Sequence, residues 1–350
     1  GSGIATFSDR ARDALRGGGV GDGPAAVVAR QGYLNGLAYD PNDAARAAGA
    51  PDVDALKAAA DLVRLGLAGT LRSYAMTTRS GERQRGEQMV YAGQIAGYAS
   101  QPGEVVNYVE NHDNHTLWDV NAFKLPLATP SAERARVQVL GMAFTALSQG
   151  VAYFHAGIDV LRSKSMDGNS YDSGDWFNRL DWTYTSNHFG SGLPPAQDNA
   201  ALHALIAPRL ADARLRAQPA DIAFARDAFR DLLRIRASSR LFRLTSADEV
   251  QRRLTFHNTG PQQNPVLIAA ELDGSGLPGA GFARVMVLIN VDTRTQALTI
   301  AGSRGQRWAL HPVHRAAGAA DRRAATQARF TRAQGRFSVP ARTAVVYVLR

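Results

Sequence analysis

The chain has 350 residues, 45% of them hydrophobic, no cysteine and a formal net charge of +9. That length allows about two domains and a sizeable core, and the composition excludes the collagenous, coiled-coil and disordered classes. Without cysteine there is no disulfide, no thiolate metal site and no cysteine nucleophile.

The positive charge does not form a nucleic-acid footprint. Only Lys57, Lys124 and Lys164 are lysines, and the arginines that carry the remainder are scattered along the chain, not gathered in one patch. The apolar runs are short and interrupted, so neither nucleic acid nor a membrane is expected as a partner. The start, Gly-Ser-Gly-Ile, has no signal-peptide pattern and no Met, and the chain is read as a piece of a longer protein.

In chain order, Ile4 to Phe7 reads as a short strand, followed by Ser8 and Asp9 as helix caps and a helix ending at the glycines from 17 to 19. Residues 20–49 read as a long loop with short helical pieces. Pro51 and Asp52 open a helix with Val53, Leu56, Ala60, Val63 and Leu67 on one stripe. A second helix is read over 86–99. Glu104 to Val109 is then a strand, because Val105, Val106, Tyr108 and Val109 are β-branched or aromatic, and it delivers a polar burst at its end: Asn111, His112, Asp113 and Asn114.

A helix follows from Pro130 and Ser131 to Gly150, with Val137, Leu140, Phe144 and Leu147 spaced for burial. Val151 to Phe154 repeats the strand, with His155, Ala156 and Gly157 as its polar tip, and Asp221 is read as the cap of a helix using Ile222, Ala225, Phe229 and Leu232. Strands alternating with helices predict a parallel sheet, and ligands collect at the carboxyl ends of such strands. Beyond about Leu241 the grammar changes to alternating β-branched runs between turns, as in R-V-M-V-L-I-N-V and T-A-V-V-Y-V-L. The expected fold class is therefore α/β followed by all-β, with the second part an antiparallel β-sandwich.

Two stretches carry chemistry. The first is the N-H-D burst, for which a capped surface loop is the bland alternative. The second, 161–184, interleaves Asp167, Asp172, Asp175, Asn178, Arg179 and Asp181 with Tyr171, Trp176, Phe177 and Trp182. Planar rings beside bidentate polar groups suit a sugar, which offers an apolar C–H face and a rim of hydroxyls. The alternative packs the rings into the loop and pairs Asp175 with Arg179 at helical spacing. No cofactor is evident. Asp167, Asn169, Asp172 and Asp175 lack the alternation and closing Glu of a calcium loop, so the spacing does not support calcium. Zinc hydrolysis and a serine esterase find no motif.

Y-V-E-N-H-D-N-H-T-L-W-D together with A-G-I-D-V-L-R-S-K-S-M-D-G-N-S-Y-D-S-G-D-W-F-N-R-L-D-W resembles the pullulanase and limit dextrinase group of the α-amylase superfamily. The likeness continues through G-I-A-T-F-S-D-R-A-R-D-A-L-R-G-G, R-L-T-F-H-N-T-G-P and G-R-F-S-V-P-A-R-T, and so covers nearly the whole chain. It implies a retaining α-1,6-glucosidase that debranches pullulan, limit dextrins and amylopectin. Residues 1–245 would be the C-terminal part of a (β/α)8 TIM-type barrel, and 246–350 the sandwich. By the same resemblance Asp113 is the transition-state stabiliser beside His112 and Asn111. Asp175 and Arg179, with Trp176 and Tyr171 on the same loop, would hold the next glucosyl unit. The family's nucleophilic Asp and acid Glu would precede residue 1, so the piece alone is expected to be inactive; Asp9 and Glu110 match neither position. His115 and the Met166–Asn169 segment depart from the family pattern and bear on fine specificity. A non-catalytic α-glucan-binding module, and an isoamylase or branching enzyme, stay open as alternatives. The family's address is secreted or periplasmic in bacteria and plastidic in plants, and the alanine and arginine bias leans towards the bacterial one.

Overall fold

The computed structural model describes residues 3–19 and 21–350. Thr6–Phe7, Val105–Asn107 and Val151–Ala152 form a three-stranded parallel sheet in that spatial order, with Phe7 opposite Val106 and Val106 opposite Val151. Each strand is shorter than its apolar run. Past the ladder, the rings of Phe7, Tyr108 and Tyr153 meet edge to face, with centroids 5.0 to 6.4 Å apart. Aromatic packing there adds to backbone bonds such as that from the Tyr153 amide to the Asn107 carbonyl at 2.9 Å. Ile4, Phe7 and Val151 remain exposed along the outer strands.

The helices that connect these strands follow the expected stripes. Val53–Leu67 starts where the Asp52 side chain accepts from the Ala55 amide at 2.8 Å, and it buries Leu56, Ala60, Val63 and Leu67 while Val53 stays in solvent. Ser131–Ala146 buries Val137, Leu140 and Phe144. Pro219–Ala237 begins two residues earlier than its expected cap: Asp221 lies inside the first turn and reaches back, accepting from the Gln218 amide at 3.0 Å.

The helix expected over 86–99 does not form. One 3₁₀ turn, Gly86–Gln88, leads into a hairpin of Val90–Tyr91 and Gln94–Ile95, turned by Ala92 and Gly93 at positive φ. The reason is a backbone crossing: a Cβ on Gly97 would lie 2.6 Å from the Gly86 backbone, so the two glycines let the strands meet where a helix would have separated them.

The all-β grammar after residue 241 resolves into two antiparallel sheets. One has five strands in the order Ala309–Leu310, Thr343–Leu349, Arg284–Asn290, Leu267–Asp273 and Leu254–His257; the other orders Gln296–Thr299, Arg336–Val339 and Arg329–Thr331. In the larger sheet Ile268, Ala270, Val285, Val287, Ile289 and Val346 pack with the helices, while Leu267, Ala269, Met286, Leu288, Val345 and Tyr347 face a second core closed by Trp308, Phe337 and Val339. Alternation sends successive residues to opposite faces, and both faces are buried. That explains why these runs read as continuous apolar sequence. Ala309–Leu310 is a short strand because Pro312 turns W-A-L-H-P-V into the helical turn Pro312–Arg315.

A buried ion pair joins the two kinds of structure. Arg64 donates to Asp61 at 2.9 Å and to the Asn258 carbonyl at 2.9 Å, and Asp61 also accepts from the Arg79 amide at 2.7 Å. Arg64 is fully buried, so its charge relies on Asp61 and the Asn258 carbonyl. Asp61→Ala is expected to destabilise the fold by about 3–5 kcal/mol, and Asp61→Leu with Arg64→Met by much less, because the pair is removed together. Urea unfolding of both variants checks this; equal losses would show that the ion pair itself, not a stranded charge, carries the stability.

Candidate functional site

The sheet places its polar tips at the carboxyl ends of the strands, where a cleft of about 490 Å³ opens. Arg12, Asp13 and Arg16 reach it from the helix after the first strand, Asp113 and His115 from the loop after the second, and Gly168 and Asn169 from the loop after the third. Asp113 has 64% of its side chain exposed, and among the described residues its partners are short-range ones. His112 Nε2 lies 3.1 Å from its carboxylate, the Asn111 amide group donates to it at 3.3 Å, and its own amide donates to Asn111 Oδ1 at 3.1 Å. Asn111, His112 and Asp113 thus form one local group with Asn111 buried, and of the three only Asp113 lines the cleft.

Tyr171, Trp176, Asp175 and Arg179 do not line that cleft. They project from the adjoining loop, with Tyr171 79% and Trp176 52% exposed. The Arg179 guanidinium sits 3.8 Å from the Trp176 ring centroid, and among the described residues no ion pair joins it to Asp175. Stacking on an indole face outcompetes a solvated carboxylate here, and the alternative of an Asp175–Arg179 pair is set aside. The alternative in which the rings pack the loop also fails for Tyr171, Trp176 and Trp182, which are all exposed.

Asp167, Asp181, Asp9 and Glu110 are engaged elsewhere. Buried Asp167 accepts from Asn169, Ser173 and Asn199 at 2.9, 2.6 and 3.1 Å, so it shapes the loop. Asp181 accepts from the Thr183 hydroxyl and from the Thr183 and Ser186 amides at 2.7 and 2.9 Å, which hold its pKa well below the usual carboxylate range. Among the described residues no group of three His, Asp or Glu side chains could hold a metal ion. Asp9 is paired with Arg12 at 2.9 Å and accepts from Tyr108 at 2.9 Å. Glu110 is fully buried against His155, at 2.9 Å.

A family model for α-1,6-glucosidases, pullulanase-type, C-terminal, matches residues 184–350. Pullulanase 1, chloroplastic, of Arabidopsis thaliana is 38% identical across 99% of the chain, which covers 36% of that relative. The Klebsiella pneumoniae pullulanase is 35% identical across 91% of the chain, which covers 29% of it. A crystal structure of PulA from Klebsiella oxytoca superposes with a TM-score of 0.92 at 33% identity, over all of this chain and 32% of that one. A maltotriose complex of PulA from Klebsiella pneumoniae matches equally well, with a TM-score of 0.92 at 34% identity over 37% of its chain. This chain belongs to the pullulanase group of the α-amylase superfamily. It spans about a third of the length of these two pullulanases.

Sequence reasoning missed several residues of this pullulanase-group cleft. Arg12 and Arg16 were indistinguishable from surface arginines on a helix, yet both are buried, and Arg16 donates to the His115 carbonyl at 2.8 Å. Lys124 donates to the Gly17 carbonyl at 2.9 Å, and burial beside Arg16 brings its pKa down to about 7. His115, enclosed beside Arg16 and Lys164, falls to about 3 and is neutral at physiological pH. The rarity of lysine in the sequence was the one available signal: Lys124 and Lys164 are both buried at this site.

Proposed function

We propose that the chain supplies one wall of the cleft of a starch-debranching glycoside hydrolase that cleaves α-1,6-glucosidic bonds with retention. In this reading residues 1–245 are the C-terminal part of a (β/α)8 barrel, the three parallel strands being its last three units, and residues 246–350 form a sandwich. Asp113 stabilises positive charge developing at C1 and the ring oxygen, with His112 and Asn111 fixing its orientation. Asp175, Arg179, Trp176 and Tyr171 hold the neighbouring glucosyl unit by hydrogen bonds and ring stacking. The nucleophile and acid, which must stand about 5–5.5 Å apart, come from the part of the relatives that this chain does not match. Pullulan, amylopectin and limit dextrins are the expected substrates.

The observation that carries this reading is the exposed Asp113 carboxylate in a cleft at the strand ends, in a chain similar to pullulanases throughout. Asp9 and Glu110 are engaged in internal pairs, which supports a supply of the two missing groups from elsewhere. Co-production with the unmatched N-terminal portion of the Klebsiella pneumoniae relative tests it. The assembled enzyme is expected to release reducing ends from pullulan, and the chain alone is not. Maltotriose titration of the chain should weaken roughly tenfold in Trp176→Ala and in Arg179→Ala. Binding without turnover in the assembled protein would favour the glucan-binding module instead.

A further inference from the structure

Two loops carry the proposed glucan contacts, and a chain of buried polar groups runs between them. Glu110, just before the N-H-D group, accepts from the Leu117 amide at 2.6 Å and faces the Gln138 side-chain amide at 3.5 Å. Its other oxygen lies 2.9 Å from Nδ1 of His155, at the tip of the third parallel strand. Nε2 of the same ring lies 3.0 Å from Nη1 of Arg162, whose Nη2 donates to the Asn178 carbonyl at 2.9 Å. Asn178 ends the helical turn Asp175–Asn178, which leads into Arg179.

The direction of these bonds is fixed by chemistry. A guanidinium can only donate, so Nε2 of His155 must accept and Nδ1 must carry the proton, which it donates to Glu110. One neutral tautomer joins a carboxylate to a cation, and each link constrains the next. A second tether runs alongside. Asp119 accepts from the Lys164 amide at 2.7 Å, and Lys164 Nζ donates to the His112 carbonyl at 2.9 Å. The loop between is held in unfavourable backbone, with Leu161, Ser165 and Met166 at φ of 60, 52 and 63°. Such strain persists only where the surroundings over-determine the conformation.

Resting on the functional reading above, we propose that Glu110, His155 and Arg162 form a positioning relay that sets the Asp175–Arg179 turn relative to Asp113, so that one glucan can be held by both loops. None of the three touches the sugar; they act through the backbone at residues 111 and 178. Apolar side chains could fill the same space but would not fix an angle between the loops, which is what a directional, buried network supplies.

Glu110→Gln changes few atoms and inverts the relay. Its amide would donate to Nδ1, moving the His155 proton to Nε2, where it meets the Arg162 donor. The full chain, labelled on histidine and on the backbone, is followed by ¹⁵N–¹H spectroscopy and titrated with maltotriose. The parent is expected to show the Nδ1–H tautomer. In Glu110→Gln the expected results are the Nε2–H tautomer, shifted amides at 175–179, and maltotriose affinity lowered on the order of tenfold with little change in the urea midpoint. Arg162→Gln, which removes the guanidinium contacts to His155, the Ala156 carbonyl and the Asn178 carbonyl while leaving the Glu110–His155 pair, keeps the test falsifiable should Glu110→Gln fail to fold; it should shift the same amides and lose the same affinity. An Nε2–H tautomer in the parent, or unmoved amides in either variant, overturns the relay. Shifted amides with unchanged affinity overturn its role in binding. A parent chain that binds no maltotriose refutes the functional reading and the relay's role in it, a failure told apart by the ligand-free spectra.

Discussion

Replacing Asp113 with Ala is expected to lower kcat/KM for pullulan about 10³-fold in the assembled enzyme, while changing the unfolding free energy of the chain by no more than about 0.5 kcal/mol. The two halves of the prediction have separate causes. The carboxylate is 64% exposed, and its partners, Asn111 and His112, lie within two residues of it. Nothing in the core depends on it. In the closed cleft the same carboxylate would face an oxocarbenium-like ring from which water is excluded, and an oriented negative charge is strongest there. The loss should fall in kcat more than in KM, because the charge it opposes exists only near the transition state. Asp113→Asn, which keeps shape and removes charge, should lose nearly as much. A loss confined to KM, or one below tenfold, would assign Asp113 to ground-state binding and remove it from the chemistry.

The second large effect concerns acid. His311 accepts from the Val313 amide through Nδ1 at 3.2 Å and lies 3.0 Å from Ser238 Oγ through Nε2; His314 accepts from the Val346 amide at 3.2 Å. Each ring therefore needs an unprotonated nitrogen where it meets the backbone. Burial lowers both to about 4, with His311 further lowered by His314 and His314 partly raised by Asp321. Unfolded, these histidines take protons near 6.5. Between those values the unfolded chain binds more protons, so the stability they contribute is complete above 6.5 and is lost as pH falls through 4. Each accounts for on the order of 3 kcal/mol.

Asp119 opposes them. Its burial raises it to about 6, offset in part by Ser163 and the Lys164 amide, so its contribution is present at low pH and lost as pH rises through 6. The histidines outweigh it, and urea midpoints should fall steadily from pH 7 to pH 4.5. Asp119→Asn should make that fall steeper. A midpoint independent of pH over this range would mean that both rings take up their protons in the folded chain by opening locally.

The parallel strands and long amphipathic helices were legible because their periodicity is set by which face is buried. The hairpin over 90–95 was not, since Gly86 and Gly97 read as helix tolerance unless their crossing is known. Likewise Arg329–Thr331 and Arg336–Val339, short strands that each begin with arginine, pair with each other, and Arg336–Val339 joins the sheet only through the distant Gln296–Thr299. In the site, Asp113 and His112 were visible as a polar burst after a strand. The relay through His155 and Arg162 was not, because a buried imidazole and a solvated one leave the same letter in the sequence. Arg179 shows the converse: its spacing from Asp175 suggested an ion pair, and the aromatic neighbour one helical turn away decided otherwise.

The five-stranded sheet, apolar on both sides, bears on how such a protein can change. Its inner surface is complementary to the helices side chain by side chain, so exchange of the C-terminal region for another all-β module would have to reproduce that mould. The segments bearing Asp113 and Arg179 obey no such demand. Novelty in this lineage should therefore accumulate at the rim, while the distal sheet is inherited as part of the scaffold.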